Sequence, residues 1–226
     1  MKRFLISPPF GNWIGHKDCT RILGSFTWER RSGLVSQVLK TFRPVRDGWI
    51  NQIGLRNKGI RAVSFQPDRI YSVVGLEDGD WEQIFEVLPA ASTIEVNLGC
   101  RNVHRYGISF MTFVNYCHRF NVIAKLSIDG VDEMATMCME AGVQHLHLSN
   151  TLPTPNGGIS GGQLRRINLP IVERLADKYP GRIIAGGGIY LPEHVNMYQR
   201  LGATYFSLST VWMNPWRAYS LLSRKE

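Results

Sequence analysis

The stretch Ile183-Ile-Ala-Gly-Gly-Gly-Ile189, with Pro192 soon after it, decides how the rest of the chain is read. A short apolar run of β type stops at three glycines. A proline then stands where a helix can begin, because the first helical position needs no N–H. Strand, tight turn and helix start follow one another directly. The next unit repeats the pattern: Tyr205–Leu208 is a strand, Ser209 and Thr210 its polar end, and Pro215 opens another helix. Toward the N-terminus, strands are expected at Phe4–Ser7, Arg21–Phe26, Ile70–Gly75, Thr93–Asn97, Val122–Leu126, His145–Ser149 and Arg182–Ala185. Amphipathic stretches alternate with them at Trp81–Leu88, Met111–Arg119, Asp132–Ala141, Leu164–Lys178 and Pro192–Leu201. Strand–helix alternation predicts a parallel sheet, either closed or doubly wound. Eight strands in 226 residues fit a (β/α)8 TIM barrel near the lower size limit of roughly 200 residues. The expectation is an α/β fold, one compact domain over 1–226 with short loops. One segment departs: Trp28 to Ile70 is long for a single crossover and reads as a strand-rich or irregular excursion over the barrel top.

Composition narrows the class. Hydrophobic residues at 44% and charged residues at 19% fit a soluble globular chain rather than a disordered one. No apolar run approaches the roughly 18 residues of a membrane span. The apolar stretch before Pro8 and Pro9 is too short for a signal peptide, so a cytoplasmic location is expected. Cys19, Cys100, Cys117 and Cys138 lack zinc-type spacing and should be free thiols. His145 and His147 share a strand face, but no third ligand is evident; a core or helix-facing role is expected, and no metal. The net charge of +8 is dispersed, without an RNA-binding motif. It suits either an anionic small molecule or an ordinary solvated surface. Trp212, Trp216 and Tyr219 offer a contact surface for a homo-oligomer.

In a parallel barrel all strand C-termini open on one face. The reactive residue types gather at those ends: Asn97 and Cys100, Lys125, Asn150 and Thr151, Gly186–Gly188, Ser209 and Thr210. The segment Ile94-Glu-Val-Asn-Leu-Gly-Cys-Arg-Asn102 ends an apolar strand in two amides flanking a thiol. Such a set can grip a planar heterocycle while the thiol removes a proton, though a buried Cys among turn-forming asparagines has the same local sequence. Lys125 closes an apolar strand, where an ammonium either meets an anion or snorkels to the strand end. The turns after the last two strands, Gly186–Gly188 and Ser209–Thr210, beside helix starts, match the place where barrels bind a phosphate, and the glycine-dense loop Thr154–Gly162 has amides that a ligand could approach closely.

The ordered set resembles the dihydroorotate dehydrogenase family. Its pieces are Asn51-Gln-Ile-Gly-Leu-Arg-Asn57, Ser72-Val-Val-Gly75, Asn97-Leu-Gly-Cys-Arg-Asn102, Ala124-Lys-Leu126, Ser149-Asn-Thr151, Gly157-Gly-Ile-Ser-Gly161, Gly186-Gly-Gly-Ile189, Gly202-Ala203 and Ser209-Thr210. The resemblance implies FMN at the barrel mouth with a dihydropyrimidine on its ring. By that likeness Cys100 is the base, Lys125 lies beside the flavin N1/O2 edge, and Asn51, Gly54, Leu55, Asn97, Asn102, Asn150 and Thr151 form the substrate pocket. Ser25, Lys125, Asn150, Gly161, Gly187, Gly188, Ser209 and Thr210 would hold the cofactor. Cys at the base position looks like the soluble class, whereas Gly24-Ser-Phe-Thr27 is closer to the membrane-associated class. The electron acceptor stays open among fumarate, NAD through a partner, quinone and oxygen. Two other readings accompany this one: a dihydrouridine-synthase-like tRNA reductase, suggested by Asn-Leu-Gly-Cys and the +8 charge, and a barrel that binds FMN or pyrimidine without turnover. Nucleic acid is not the partner expected.

Overall fold

A computed structural model describes residues 1–77, 79–99, 110–180 and 182–223. Eight strands close into a parallel barrel. They are β1 (Phe4–Ile6), β2 (Cys19–Phe26), β5 (Ile70–Val73), β6 (Thr93–Asn97), β7 (Asn121–Leu126), β8 (His145–Leu148), β11 (Ile183–Gly186) and β12 (Tyr205–Leu208). Each coincides, to within a residue or two at its ends, with a strand expected from the apolar runs. Crossover helices are α2 (Asp80–Val87), α3 (Phe110–Arg119), α4 (Val131–Glu140), α5 (Gly162–Lys178) and α6 (Pro192–Arg200), and α7 (Pro215–Ser223) closes the described chain. The fold is the (β/α)8 barrel. Between β1 and β2 the connection among the described residues is a 3-10 turn, Phe10–Asn12, instead of an α-helix. Gly11 makes that turn possible, since a Cβ there would sit 2.1 Å from the Ile22 carbonyl.

The period of two in the strands sorts side chains between two environments. In β7, Val122, Ala124 and Leu126 join the large core beneath the helices, while Ile123 belongs to a separate cluster with Leu5, Ile22, Ile70 and Ile184. That second cluster is the apolar plug of the barrel interior. One residue pair further along each strand the interior turns polar, with Ser7, Ser72, Glu95, Lys125, His147 and Ser207 all buried. The polarity change marks the C-terminal half of the barrel.

The excursion after β2 is part helix and part sheet: α1 (Leu34–Thr41), β3 (Arg43–Val45) and β4 (Gly48–Asn51). The glycine-dense segment after β8 folds as a hairpin, β9 (Leu152–Thr154) and β10 (Gly157–Gly161), where the sequence suggested a loop. The two segments join as one antiparallel sheet in the order β3-β4-β10-β9. Glycine is what allows this: a Cβ at Gly48 would lie 2.1 Å from the Ser160 carbonyl across the ladder. β10 runs straight into α5, so the small sheet is tied to a helix start at the barrel mouth. Trp212 is buried, packed edge-on against Tyr219. That corrects the expected aromatic surface, which reduces to Trp216, 85% exposed, and Tyr219.

Candidate active site

The strand ends and the small sheet enclose one cavity of about 1000 Å³. This lies at the upper end for a pocket holding a small molecule. Ser25, Asn97, Lys125, Asn150 and Thr151 line it from the barrel side. Asn51, Gly54 and Leu55 line it from the excursion, and Gly161, Gly187, Gly188, Ser209 and Thr210 from the last strand ends. Cys100 and Asn102 lie outside the described residues.

The amides are held in a chain. Asn150 Nδ2 donates to Asn97 Oδ1 at 2.8 Å, and Asn97 Nδ2 donates to Ser25 Oγ at 3.2 Å. Ser25 Oγ in turn lies 2.8 Å from Ser72 Oγ. The network fixes which end of each amide faces which way and, among the described residues, leaves Asn150 Oδ1 to accept from a ligand. Ser25 reaches this position because β2 shifts register against β5 between Leu23 and Phe26, as irregular strands beside sites often do. Asn12 pins the irregular backbone: its side chain donates to Gly24 O at 2.9 Å and accepts from Gly24 N at 2.8 Å. Asn51 stands above the mouth because its backbone pairs with Gly158 across the small sheet.

At the far end, Gly187 and Gly188 adopt φ of 90° and 66°, a region that L side chains rarely enter. A Cβ at Gly188 would meet the Gly161 carbonyl at 2.6 Å. The two turns therefore touch backbone to backbone. Tyr190 Oη lies 2.9 Å from Thr210 Oγ1, and Arg165 donates to the Gly188 carbonyl. A cation, hydroxyls and close-packed glycine backbone beside the start of α6 suit an anionic phosphate tail.

Lys125, only 9% exposed, supplies the charge at the cavity floor. Beneath it lie two residues whose part the sequence reading did not foresee. Glu95 is 0% exposed and His147 1%, and His147 Nδ1 donates to Glu95 Oε2 at 2.6 Å. Burial alone would raise the Glu95 carboxyl; the Lys125 charge foremost, then His147, hold it down to about 2. Burial pushes the His147 ring below its ordinary range, with Lys125 acting the same way and Glu95 opposing. His147 is thus a residue of the barrel interior and not of the helix side. The signal for Glu95 was present in Thr93-Ile-Glu-Val-Asn97: a charge in an apolar strand, on the same face as Asn97.

Fold and site define the class: a (β/α)8-barrel protein with a ligand-sized polar cavity at its C-terminal mouth. By sequence it is similar to catalytic subunits named dihydroorotate dehydrogenase B (NAD(+)). The one from Endomicrobium trichonymphae is 28% identical over 202 residues, covering 74% of this chain and 66% of the relative. That from Geotalea uraniireducens is 28% identical over 218 residues, covering 79% and 72%. These likenesses support the resemblance to the dihydroorotate dehydrogenase family. It spans about two thirds of the length of these relatives. In fold it is similar to the ligand-free DHODH of Eimeria tenella, with a TM-score of 0.71, 16% identity, and 97% of this chain and 82% of that one covered. No family model matches the chain.

Proposed function

We propose that this chain, acting as one FMN-binding barrel domain, oxidises dihydroorotate or a close dihydropyrimidine to the aromatic pyrimidine. The observation that carries the reading is the cavity itself: an amide chain and a buried ammonium at one end, and glycine turns suited to a phosphate at the other. The donor set fits FMN, a planar polar ring joined to a phosphate tail. Gly161, Gly187, Gly188, Ser209 and Thr210 would hold the phosphate, with Arg165 nearby. Ser25, Lys125 and Asn150 would meet the ring, and FMN when bound supplies the hydride acceptor.

The remaining work belongs to this chain. Asn51, Asn97, Asn102 and Asn150, with Thr151, orient the substrate's carboxylate and ring amides, and Gly54 and Leu55 shape the pocket around it. Cys100 removes the C5 proton as the C6 hydride leaves. Lys125 places positive charge where negative charge accumulates, a fixed stabilisation needing no reorganisation. The relatives' designation as NAD(+)-linked catalytic subunits supports NAD as the final acceptor through a partner, and favours a dehydrogenase over a tRNA reductase.

Anaerobic titration tests this. The purified protein, loaded with FMN, should lose its flavin absorbance when dihydroorotate is added. Flavin that binds but is never reduced by any dihydropyrimidine would leave a binding protein without turnover.

A further inference from the structure

A buried ammonium is costly unless an anion compensates it. Register shows where that anion comes from. β6, β7 and β8 are neighbours, with Asn97 opposite Lys125 and Lys125 opposite His147. Glu95 shares Asn97's inward face one step deeper. It reaches beneath Lys125 to His147, spanning the width of β7. The second carboxylate oxygen, Glu95 Oε1, is buried without a hydrogen-bond partner. The Lys125 charge acts on this carboxylate through space, beside the hydrogen bond from His147 and a weaker contribution from the Ser72 hydroxyl. At the same level β1, β5 and β12 bring serines (Ser7, Ser72 and Ser207), while β2 and β11 bring Gly24 and Gly186. Among the described residues the titratable groups facing one another here are Glu95, Lys125 and His147.

We propose that Glu95 is the built-in counter-ion of Lys125, and that His147 is the positioning residue that pins Glu95. The floor then presents one ammonium to the negative edge of a bound ring without carrying net charge into the barrel. This rests on the reading that a flavin ring lies over Lys125. A buried Glu–His pair is weak evidence of added stability by itself. Its place under Lys125 at the cavity floor is what points to function. His147, with its ring uncharged, gives its Nδ1 hydrogen to Glu95 and keeps Nε2 toward Gly186, 3.4 Å from where a Cβ would stand.

The test has a flavin-free arm. In protein without FMN, NMR of the Lys125 side chain and of the His147 ring nitrogens follows their titration. Glu95→Gln should lower the Lys125 titration by about one pH unit or more, a tenfold change in its acid constant. An unchanged Lys125 overturns the proposal. Should Glu95→Gln fail to fold, Lys125→Met reads the same unit from the other side. Without the competing cation, His147 should then titrate at least tenfold more readily, and an unmoved His147 refutes the coupling. With FMN bound, Glu95→Gln should raise the flavin midpoint potential. Tenfold tighter relative binding of the reduced form corresponds to about 30 mV for a two-electron couple. An unshifted potential in a yellow, folded variant counts against the proposal. A colourless protein would refute the flavin reading while the NMR arm still judged the counter-ion.

Discussion

Among single residues, the cysteines separate by burial. Burial pushes the Cys19 and Cys138 thiols up to about 12 and Cys117 up to about 11. A thiol so placed is protonated at neutral pH and is neither a base nor a nucleophile. These three should stay unreactive toward a thiol reagent in the folded protein and react once guanidinium unfolds it, as counted by thiol titration. The proposed mechanism places its base at Cys100 instead. Cys100→Ala should slow flavin reduction by dihydroorotate by more than about a hundredfold, the scale for losing a general base, in anaerobic stopped-flow. Unchanged kinetics would remove it from the mechanism. Lys125→Ala should weaken FMN binding or slow flavin reduction; normal occupancy and turnover would make it a structural lysine.

Elements matter where two of them touch without side chains between. The turn after β11 meets the end of β10 at Gly188 and Gly161, and both are at positive φ. Gly188→Ala brings a Cβ to 2.6 Å from a carbonyl in a strained conformation. The expected cost is about 1–3 kcal/mol of stability, read from denaturant unfolding, with FMN affinity falling at least about tenfold. The small sheet has a similar dependence at Gly48. Gly48→Ala should part β4 from β10 and move Asn51 away from the mouth, weakening substrate more than flavin. Equal losses of both would show that the sheet holds the cofactor turn instead.

For the whole molecule the buried ionisable groups set a pH window. The folded-state pKa of His147 lies below its ordinary 6.5, so the unfolded chain takes up the proton first as pH falls. Stability from this group is full above 6.5 and declines below it. Glu95 behaves likewise, its contribution present above 4.5 and lost as pH falls toward about 2. The thiols of Cys19 and Cys138 have the opposite sign: raised from 9.0 to about 12, they favour the fold below 9.0 and lose that contribution as pH climbs to about 12. Unfolding free energy should therefore be greatest between about pH 6.5 and 9 and fall on both sides. A maximum below pH 5 would contradict the assignment. The interior plug is the other global support. Ile184→Ala should cost about 2–5 kcal/mol in denaturant unfolding, because a closed barrel collapses poorly around a cavity.

By itself the sequence determined the eight barrel strands, five crossover helices and the clustering of polar residues at one strand end. Those follow from periodicity and from glycine and proline, which act within a few residues of themselves. It also flagged Lys125 as an ammonium that either meets an anion or snorkels to the strand end. It could not name Glu95, because that partner comes from a neighbouring strand, and only closure of the barrel sets the register bringing them together. The pairing of β4 with β10 was equally hidden: residues Gly48–Asn51 and Gly158–Gly161 lie far apart in the chain, the first in a stretch that reads only as strand-rich or irregular and the second in a glycine-dense loop. Tertiary structure decided these points, since contacts between distant segments are specified by packing and not by local pattern.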